Sequence, residues 1–213
     1  MGTDATPSGG GARRLLSRAR FLGFVAAGAG LGLVGTRLLS LVGGWRTNTV
    51  ERPRPTFDPV SYRLTVDGLV DRPVTFTYEE LRALPAVRQV SDFHCVEGWG
   101  VSDVQWDGVR LQTVIDMVRP APEARFVPFH STGGVYRDSL TIEQATLADV
   151  LVAYDMDSEP LSPDRGSPLR LVMPHMFGYK GPKWLYRIEF RDRRDIGYWE
   201  ERGWALNAWT GRA

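Results

Sequence analysis

From residue 61 onwards, apolar and polar residues alternate along many short segments of the chain. A period of two is typical of β-strands that bury one face. The segments that predict strands are 62–70, 74–78, 87–99, 104–111, 124–131, 169–174 and 184–190. Two of them contain an Asp-Gly pair, Asp67-Gly68 and Asp107-Gly108, and each pair predicts a tight hairpin turn.

Three other stretches have apolar residues at helical spacing. Residues 78–84 follow Thr77, and Thr77 with Glu80 has the spacing of a capping box. Residues 111–118 form a second helical pattern, and Thr141 is placed to cap a third helix that leads into a further strand. Many short strands with a few short helices indicate one mixed domain of the α+β class.

The pattern changes ahead of this domain. Residues 1–20 are small, polar or basic and are expected to be disordered, whereas residues 21–44 are apolar and Gly-rich, with Arg37 as their only charge. A membrane-spanning helix needs about 20 apolar residues, and basic residues in front of it stay on the cytoplasmic side. We therefore predict a transmembrane anchor over 21–44, a polar linker over 45–60, and an extracytoplasmic domain over 61–213.

The apolar segment 21–44 has other possible interpretations besides an uncleaved anchor. A cleaved export signal has a shorter apolar region followed by an Ala-x-Ala-like site, and no clear site of that kind follows Leu41. A buried core helix would show a polar face, which this segment lacks. Arg13-Arg14 loosely resembles a twin-arginine export signal.

Charge is divided unevenly between these regions. The whole chain has 26 basic and 25 acidic residues, a formal net charge of +1. Residues 1–46 hold six Arg and one acid, so they carry +5 and the remainder carries −4. A nucleic-acid-binding protein carries positive charge on its folded domain, so this distribution argues against that class.

Cys95 is the only cysteine, which excludes an internal disulfide and a zinc site built on paired cysteines. It follows a predicted strand and lies between His94 and Glu97. A buried, inert thiol is one interpretation. A thiolate that ligates a soft metal is another, and a nucleophile activated by His94, His130 or His175 is a third. The histidines are too widely spaced in sequence to indicate a zinc site.

A second segment, 168–184, contains both lysines of a chain that otherwise uses 24 arginines. Lys180 and Lys183 flank a Gly-Pro pair in a loop between two predicted strands, and Arg170 lies on the first of these strands. Free backbone N–H groups and compact ammonium groups suit an anionic phosphate. A solvated loop with two exposed lysines is the alternative.

A third segment, 125–134, is a predicted strand that ends in Ser131, Thr132 and two glycines. Hydroxyl groups and free backbone N–H groups at the end of a strand are suited to bind a ligand. This segment is therefore a third candidate for the edge of a binding site.

Three sequence segments occur in a characteristic order: FHCVEGWGVSDVQWDGVRLQTVIDM, RFVPFHST and PDRGSPLRLVMPHMFGYKGPKWLYRIEF. Together they resemble the sulfite oxidase-like molybdopterin oxidoreductases. The similarity is greatest to the small bacterial exported branch, which includes the protein-methionine-sulfoxide reductase catalytic subunits. It covers roughly residues 58–200, so the resemblance implies the sulfite oxidase-like molybdopterin-binding fold behind the predicted anchor.

The resemblance also implies a Mo-molybdopterin cofactor and a set of residues that hold it. Cys95 matches the molybdenum-ligating cysteine of the family and is the expected catalytic residue. Other positions match cofactor-binding positions of the family: Ser131, Arg165, Arg170, Gly181, Pro182 and Lys183. At one of them, Arg165, the family usually has Asn. The family's reductase branch also has an Asn and a Tyr-Glu pair near its mature N-terminus, for which residues 45–60 offer no obvious match.

The main hypothesis is thus an extracytoplasmic molybdenum oxidoreductase that transfers an oxo group to or from a small sulfur or nitrogen oxide or oxyanion. Sulfoxide reduction and sulfite oxidation are the two types of reaction that the resemblance implies. The chain is too short for the haem and dimerisation domains of vertebrate-type sulfite oxidases. Electrons are therefore expected to pass to or from a separate membrane haem or quinone-linked protein.

Two other classes of function are kept beside it. The first is a non-catalytic, membrane-tethered binding module on the same fold, which the missing N-terminal cofactor residues motivate. The second is an exported cysteine hydrolase, for which the sequence has no Ser-His-Gly-Cys run.

Overall fold

The structure is a computed structural model, and it describes residues 44–211. The predicted N-terminal tail, 1–20, and the predicted anchor, 21–44, lie outside this part of the chain except for Gly44. Among the described residues, none of the helices combines the length and the apolar character needed to span a membrane.

Short strands dominate the described part of the chain. The strands are β1 (Arg63–Gly68), β2 (Val74–Thr77), β3 (Ala86–His94), β4 (Gly100–Arg110), β5 (Phe126–Ser131), β6 (Arg137–Thr141), β7 (Leu151–Met156), β8 (Glu159–Pro160), β9 (Arg170–Val172) and β10 (Leu185–Phe190). The α-helices are α1 (Tyr78–Arg82), α2 (Leu111–Val118) and α3 (Ile142–Ala145). Single 3₁₀ turns cover Pro163–Arg165, Gly178–Lys180 and Glu200–Arg202. The α+β expectation is confirmed.

The strands form two sheets. The first has the order β2-β1-β10-β5-β6, in which β1 and β10 are parallel and the other pairs antiparallel. The second has the order β3-β4-β7-β8, with β9 added to β7, and all its pairs are antiparallel. The segments with the candidate chemistry follow β3, β5 and β9, so both sheets contribute to the site.

Local sequence signals account for the helices. Thr77 and Glu80 form the predicted capping box of α1, and Thr141 caps α3 in the same way with Gln144. Helix α2 buries Leu111, Val114, Ile115 and Val118 in the main core, as its helical spacing predicts. Burial of such side chains supplies most of the stability of a short helix.

Both predicted Asp-Gly turns are wrong. Gly68 is the last residue of β1, and the chain turns after it, between β1 and β2. Gly108 lies inside the continuous strand β4, where the register against β7 shifts between Asp107 and Gly108. A Cβ on Gly108 would collide with the backbone of Val152. This glycine therefore permits close approach of two strands at a bulge, which is the other common use of glycine in sheets.

Candidate functional site

A cavity of about 490 Å³ adjoins the thiol of Cys95 and is called the Cys95 cavity here. Segments from several parts of the fold line it. They are residues 45–52 with Arg54, Phe93 and Cys95–Glu97 with Trp99, Ser131 with Tyr136, Asp164 with Arg165 and Arg170, Gly178 with Tyr179, Gly181, Lys183 and Trp184, and finally Trp199 with Trp204. Residues far apart in sequence thus meet in one concave site, as binding sites require.

A tight turn after β3 presents the thiol of Cys95 to this cavity. The Cys95 N–H donates to the carbonyl of Trp99 (2.8 Å), and the Gly98 N–H donates to the carbonyl of Cys95 (3.1 Å). The φ of Gly98 is +87°, a conformation that glycine adopts without strain. The thiol is half-buried, and its Sγ lies 3.9 Å from Oε2 of Glu97.

The electrostatic surroundings of Cys95 disfavour an activated nucleophile. Burial raises the pKa of the thiol, and the Glu97 carboxylate raises it further, whereas reactive cysteines have a lowered pKa. Of the residues that line the cavity, none is a histidine. A soft metal cation would supply the positive charge that stabilises a thiolate here. The site therefore supports metal ligation over the hydrolase hypothesis.

Arg170 is a buried cation at the start of β9. It is 4% exposed, its Nη1 donates to the carbonyl of Arg165 (3.2 Å), and its Nε has no hydrogen-bond partner within residues 44–211. Burial, together with the charge of Arg165, lowers its pKa to about 10. A buried polar atom without a partner is costly, so the guanidinium is suited to a ligand that accepts this N–H.

Lys183 and Arg165 add two further cations beside Arg170. The Lys183 Nζ donates to the carbonyls of Asn48 (2.8 Å) and Asp164 (3.4 Å). Burial and the two arginines lower its pKa to about 7. The Arg165 guanidinium lies 4.6 Å from the ring centre of Trp45.

Arg165, Arg170 and Lys183 are called the cationic pole below. In the part of the chain that the structure describes, none of the three forms an ion pair with a carboxylate. Like charges at such positions repel one another and raise the free energy of the empty site. An anion with more than one negative charge would relieve this repulsion, so the pole is suited to a phosphate.

The remaining predicted residues fall close to the pole, with one exception. Ser131 is buried, lines the cavity and donates its hydroxyl to the carbonyl of Lys183 (2.7 Å). Gly181 lines the cavity, and a Cβ there would lie 2.6 Å from the carbonyl of Leu171. Pro182 is not among the lining residues, and its carbonyl accepts from the Leu171 N–H (2.9 Å). The structure thus brings six of the seven predicted positions to the cavity, with Pro182 behind them.

The expectation that Lys180 joins Lys183 in a phosphate cradle is wrong. Lys180 is completely buried and does not line the cavity. Its Nζ is bonded to Asp138, to Glu200 (2.6 Å) and to the carbonyl of Ser139 (3.0 Å). The carboxylates of Asp138 and Glu200, from distant parts of the chain, neutralise its charge. Sequence spacing could not reveal these partners.

Residues 45–54, predicted as a linker, form one wall of the cavity. The Asn48 side chain donates to Glu97 (3.0 Å), and Glu51, which is 1% exposed, accepts from the Tyr136 N–H (2.7 Å). These two residues were missed. The signal in the sequence was an Asn and a Glu three residues apart, with Val50 directly before Glu51, where the resemblance implies the Tyr of a Tyr-Glu pair. Because both polar residues are in place, the observation that motivated a non-catalytic module loses its force.

Aromatic side chains form the other parts of the wall, and sequence analysis also missed them. Trp45 packs on Phe93 (4.7 Å between ring centres) and on Trp99 (6.4 Å). Trp199 and Trp204, 6.1 Å apart, come from the C-terminal segment and are called the aromatic wall below. Aromatic rings suit the apolar groups of a substrate or the planar rings of a cofactor.

Comparison with known proteins finds relatives that are similar to this chain over about two thirds of its length. The "Uncharacterized oxidoreductase YuiH" of Bacillus subtilis is 35% identical over 149 residues, covering 70% of this chain and 75% of that protein. The "Protein-methionine-sulfoxide reductase catalytic subunit MsrP" of Campylobacter jejuni is 28% identical over 160 residues, covering 68% of this chain. This chain spans 54% of the Campylobacter protein.

A solved structure supports the fold. The sulfane dehydrogenase SoxCD from Paracoccus pantotrophus superposes with a TM-score of 0.62 over 73% of this chain and 46% of that chain. The sequence identity is 21%, so this similarity concerns the fold alone.

The family comparison covers the site itself. A family model described as "Oxidoreductase molybdopterin binding domain" matches residues 51–199, which include Cys95 and the whole cationic pole. The match extends over more than half of the chain. The chain therefore belongs to the oxidoreductase molybdopterin-binding domain family, and it is an oxidoreductase whose cofactor is Mo-molybdopterin.

Proposed function

We propose that the chain is an extracytoplasmic enzyme that transfers an oxo group between a small sulfur or nitrogen oxide and the molybdenum cofactor. Sulfoxide reduction is favoured over sulfite oxidation, because relatives are named as protein-methionine-sulfoxide reductase catalytic subunits. The single observation that carries the proposal is that one cavity contains both the half-buried thiol of Cys95 and the cationic pole, which has no carboxylate partner among residues 44–211.

The residues present fit the cofactor. The unpartnered Nε of Arg170 and the repulsion within the cationic pole call for an anion, and molybdopterin carries a phosphate. The thiol of Cys95, on another wall of the same cavity, suits a soft metal. A side chain on Gly181 would collide with the carbonyl of Leu171, so this glycine lets the loop that contains Lys183 pack against β9. The donor set therefore matches both ends of the cofactor.

Each part of the chain then has a separate task. When bound, the cofactor supplies two-electron oxo-transfer chemistry. Cys95 would hold the metal, and the cationic pole would bind the phosphate through charge-assisted hydrogen bonds. The Ser131 hydroxyl donates a hydrogen bond to the carbonyl of Lys183 and so orients the loop that contains Lys183. The aromatic side chains add apolar surface to the cavity, which suits the planar rings of the cofactor or the apolar groups of a substrate.

The compartment and the electron partner belong to the proposal. The basic and apolar pattern of residues 13–44 supports an anchor with the domain outside the cytoplasm. Electrons would be exchanged with a separate haem or quinone-linked membrane protein. An anchor would raise the effective concentration of the domain beside such a partner.

Metal and pterin analysis of the purified protein tests the proposal. Wild type and Cys95→Ser are expressed in a host that makes the cofactor, then assayed for molybdenum and pterin. We expect about one molybdenum and one pterin per wild-type chain, and a large loss of molybdenum in Cys95→Ser. A folded wild type without metal and pterin would overturn the assignment.

The direction of the reaction is tested on the loaded wild type. Reduced viologen is supplied with a sulfoxide or an N-oxide, and an electron acceptor is supplied with sulfite in a parallel assay. We expect oxidation of the viologen by the sulfoxide to be the faster reaction. A protein that oxidises sulfite and leaves sulfoxides unchanged would contradict sulfoxide reduction as the favoured type.

A further inference from the structure

Lys180 lies at the centre of a buried cluster of charges that the proposed chemistry does not use. Lys180 and Glu200 have side chains that are 0% exposed, and that of Asp138 is 1% exposed. The second oxygen of Asp138, Oδ2, has no hydrogen-bond partner among the described residues. Replacing such a buried ion pair by apolar residues is often neutral or stabilising, so stability alone is a weak explanation for the cluster.

Lys180 joins two segments that line the Cys95 cavity. It is the last residue of the 3₁₀ turn Gly178–Lys180, and its neighbours Tyr179 and Gly181 line the cavity. Glu200 follows Trp199 directly and begins the 3₁₀ turn that leads to Trp204. The loop of residues 178–183 is called the cofactor loop below. The Lys180–Glu200 bond of 2.6 Å therefore connects the cofactor loop to the aromatic wall.

Glu200 also organises its own segment. Its Oε1 binds Lys180, and its Oε2 accepts from the Gly197 N–H (2.8 Å), so one carboxylate fixes the turn and its attachment together. Asp138 contributes packing at the same point, because a Cβ on Gly197 would lie 2.8 Å from Asp138 Cγ. Its carboxylate, however, is on strand β6 and not in the C-terminal segment.

Trp204 of the aromatic wall also packs on Tyr179, with 5.6 Å between the ring centres. The other polar attachments of the segment to the rest of the fold are near its ends or on the surface. At the start, the Tyr198 N–H donates to the carbonyl of Arg137 (2.9 Å). At the end, the Tyr179 hydroxyl donates to the carbonyl of Ala205 (2.7 Å). The pair of Arg137 and Glu201 is about 40% exposed on both sides, and exposed pairs contribute little. Within residues 44–211, the Lys180–Glu200 bond is thus a buried ionic attachment of the middle of the segment, beside the ring contact of Trp204 with Tyr179.

We propose that Lys180 is a positioning residue, which through Glu200 clamps the aromatic wall against the cofactor loop and thereby shapes the part of the cavity that receives the substrate. This role rests on the proposed function for its effect on substrate, while the clamp itself is a property of the fold. The charge of Lys180 acts at a distance from the substrate, and the wall makes the contact.

A matched pair of variants separates the clamp from general stability. Glu200→Gln and Asp138→Asn each remove one carboxylate charge and keep the side-chain shape, and each leaves Lys180 with one acidic partner. Only Glu200 is part of the C-terminal segment. Hydrogen–deuterium exchange of residues 197–205 is measured on the full chain, and KM and kcat for a sulfoxide are measured on the loaded protein.

We expect Glu200→Gln to speed exchange in residues 197–205 at least tenfold and to raise KM about tenfold with kcat changed less than about twofold. Such a split indicates loss of substrate binding and not of the chemical step. Asp138→Asn should leave both measurements within about twofold of wild type.

Equal effects of the two variants on exchange in 197–205, or no effect of Glu200→Gln, would overturn the clamp. Faster exchange with an unchanged KM would overturn its role in positioning the substrate. If loaded wild type lacks sulfoxide activity, the proposed function fails, and exchange alone then decides whether the clamp exists.

Discussion

Lys180 and Lys183 are three residues apart in the same loop, yet their surroundings differ completely. Lys180 is completely buried and forms ion pairs with Asp138 and Glu200. Lys183 lines the cavity, donates to two carbonyls, lies 4.6 Å from the ring centre of Trp184, and forms no ion pair with a carboxylate among the described residues. A buried cation with carboxylate partners has its charge balanced by the fold. A buried cation without them leaves that charge for a ligand to balance, so the absence of an ion pair is the better marker of the site.

Lys180→Met should produce the largest effect on stability. It removes the nearest cation from the buried carboxylates of Asp138 and Glu200, and among the described residues only the more distant Arg194, 4.0 Å from Glu200, remains. Removing one partner of a buried ion pair costs about 3–5 kcal/mol of unfolding free energy. Urea denaturation of the cofactor-free protein, followed by circular dichroism, measures this loss. The triple variant Lys180→Met, Asp138→Asn, Glu200→Gln removes the uncompensated charges and should recover part of it. A loss below about 1 kcal/mol for Lys180→Met would show that the charges of this cluster are not coupled.

Lys183→Met should give the opposite result. Removing a desolvated charge that lacks a carboxylate partner should leave the cofactor-free stability within about 1 kcal/mol of wild type. The loss of one phosphate contact should weaken cofactor retention at least about tenfold, which corresponds to about 1.4 kcal/mol. Pterin content per chain after extended dialysis measures retention. Unchanged retention would contradict the assignment of Lys183 to the phosphate.

The lowered pKa of Lys183 also predicts that the stability of the cofactor-free protein depends on pH. The pKa of Lys183 is lowered from 10.5 to about 7 in the folded, cofactor-free protein, so the unfolded chain binds more protons between these values. Stability from this group is therefore present above pH 10.5 and is lost as pH falls through about 7.

The measurement is the difference in unfolding free energy between wild type and Lys183→Met. Without cofactor, wild type should gain about 1–2 kcal/mol relative to Lys183→Met between about pH 7 and about pH 9. Bound cofactor should flatten this gain, because a phosphate holds the ammonium charged. A difference that is the same at both pH values in the cofactor-free protein would show that Lys183 is not perturbed.

The sequence predicted the parts of the fold and site that depend on local patterns. Capping boxes, strand alternation and the motif around Cys95 are all local signals. The use of Gly108 depends on how closely β7 approaches β4, and the role of Lys180 depends on acids about 20 and 42 residues away. Asn48 and Glu51 were missed because their partners, Glu97 and the Tyr136 N–H, come from other segments.

Arg165→Asn should have the smallest effect of these substitutions. It separates the contribution of Arg165 to cofactor retention from that of Lys183. Arg165 is the least desolvated of the three cations, and its guanidinium stacks on Trp45, an interaction that contributes about 0.5–1 kcal/mol at exposed sites. The resemblance implies Asn as the usual residue at this position, so we expect cofactor retention to fall only about two- to fivefold. Fluorescence of the chain should change because Trp45 loses its cation. A loss as large as that of Lys183→Met would show that Arg165 contributes to binding of the phosphate as much as Lys183 does.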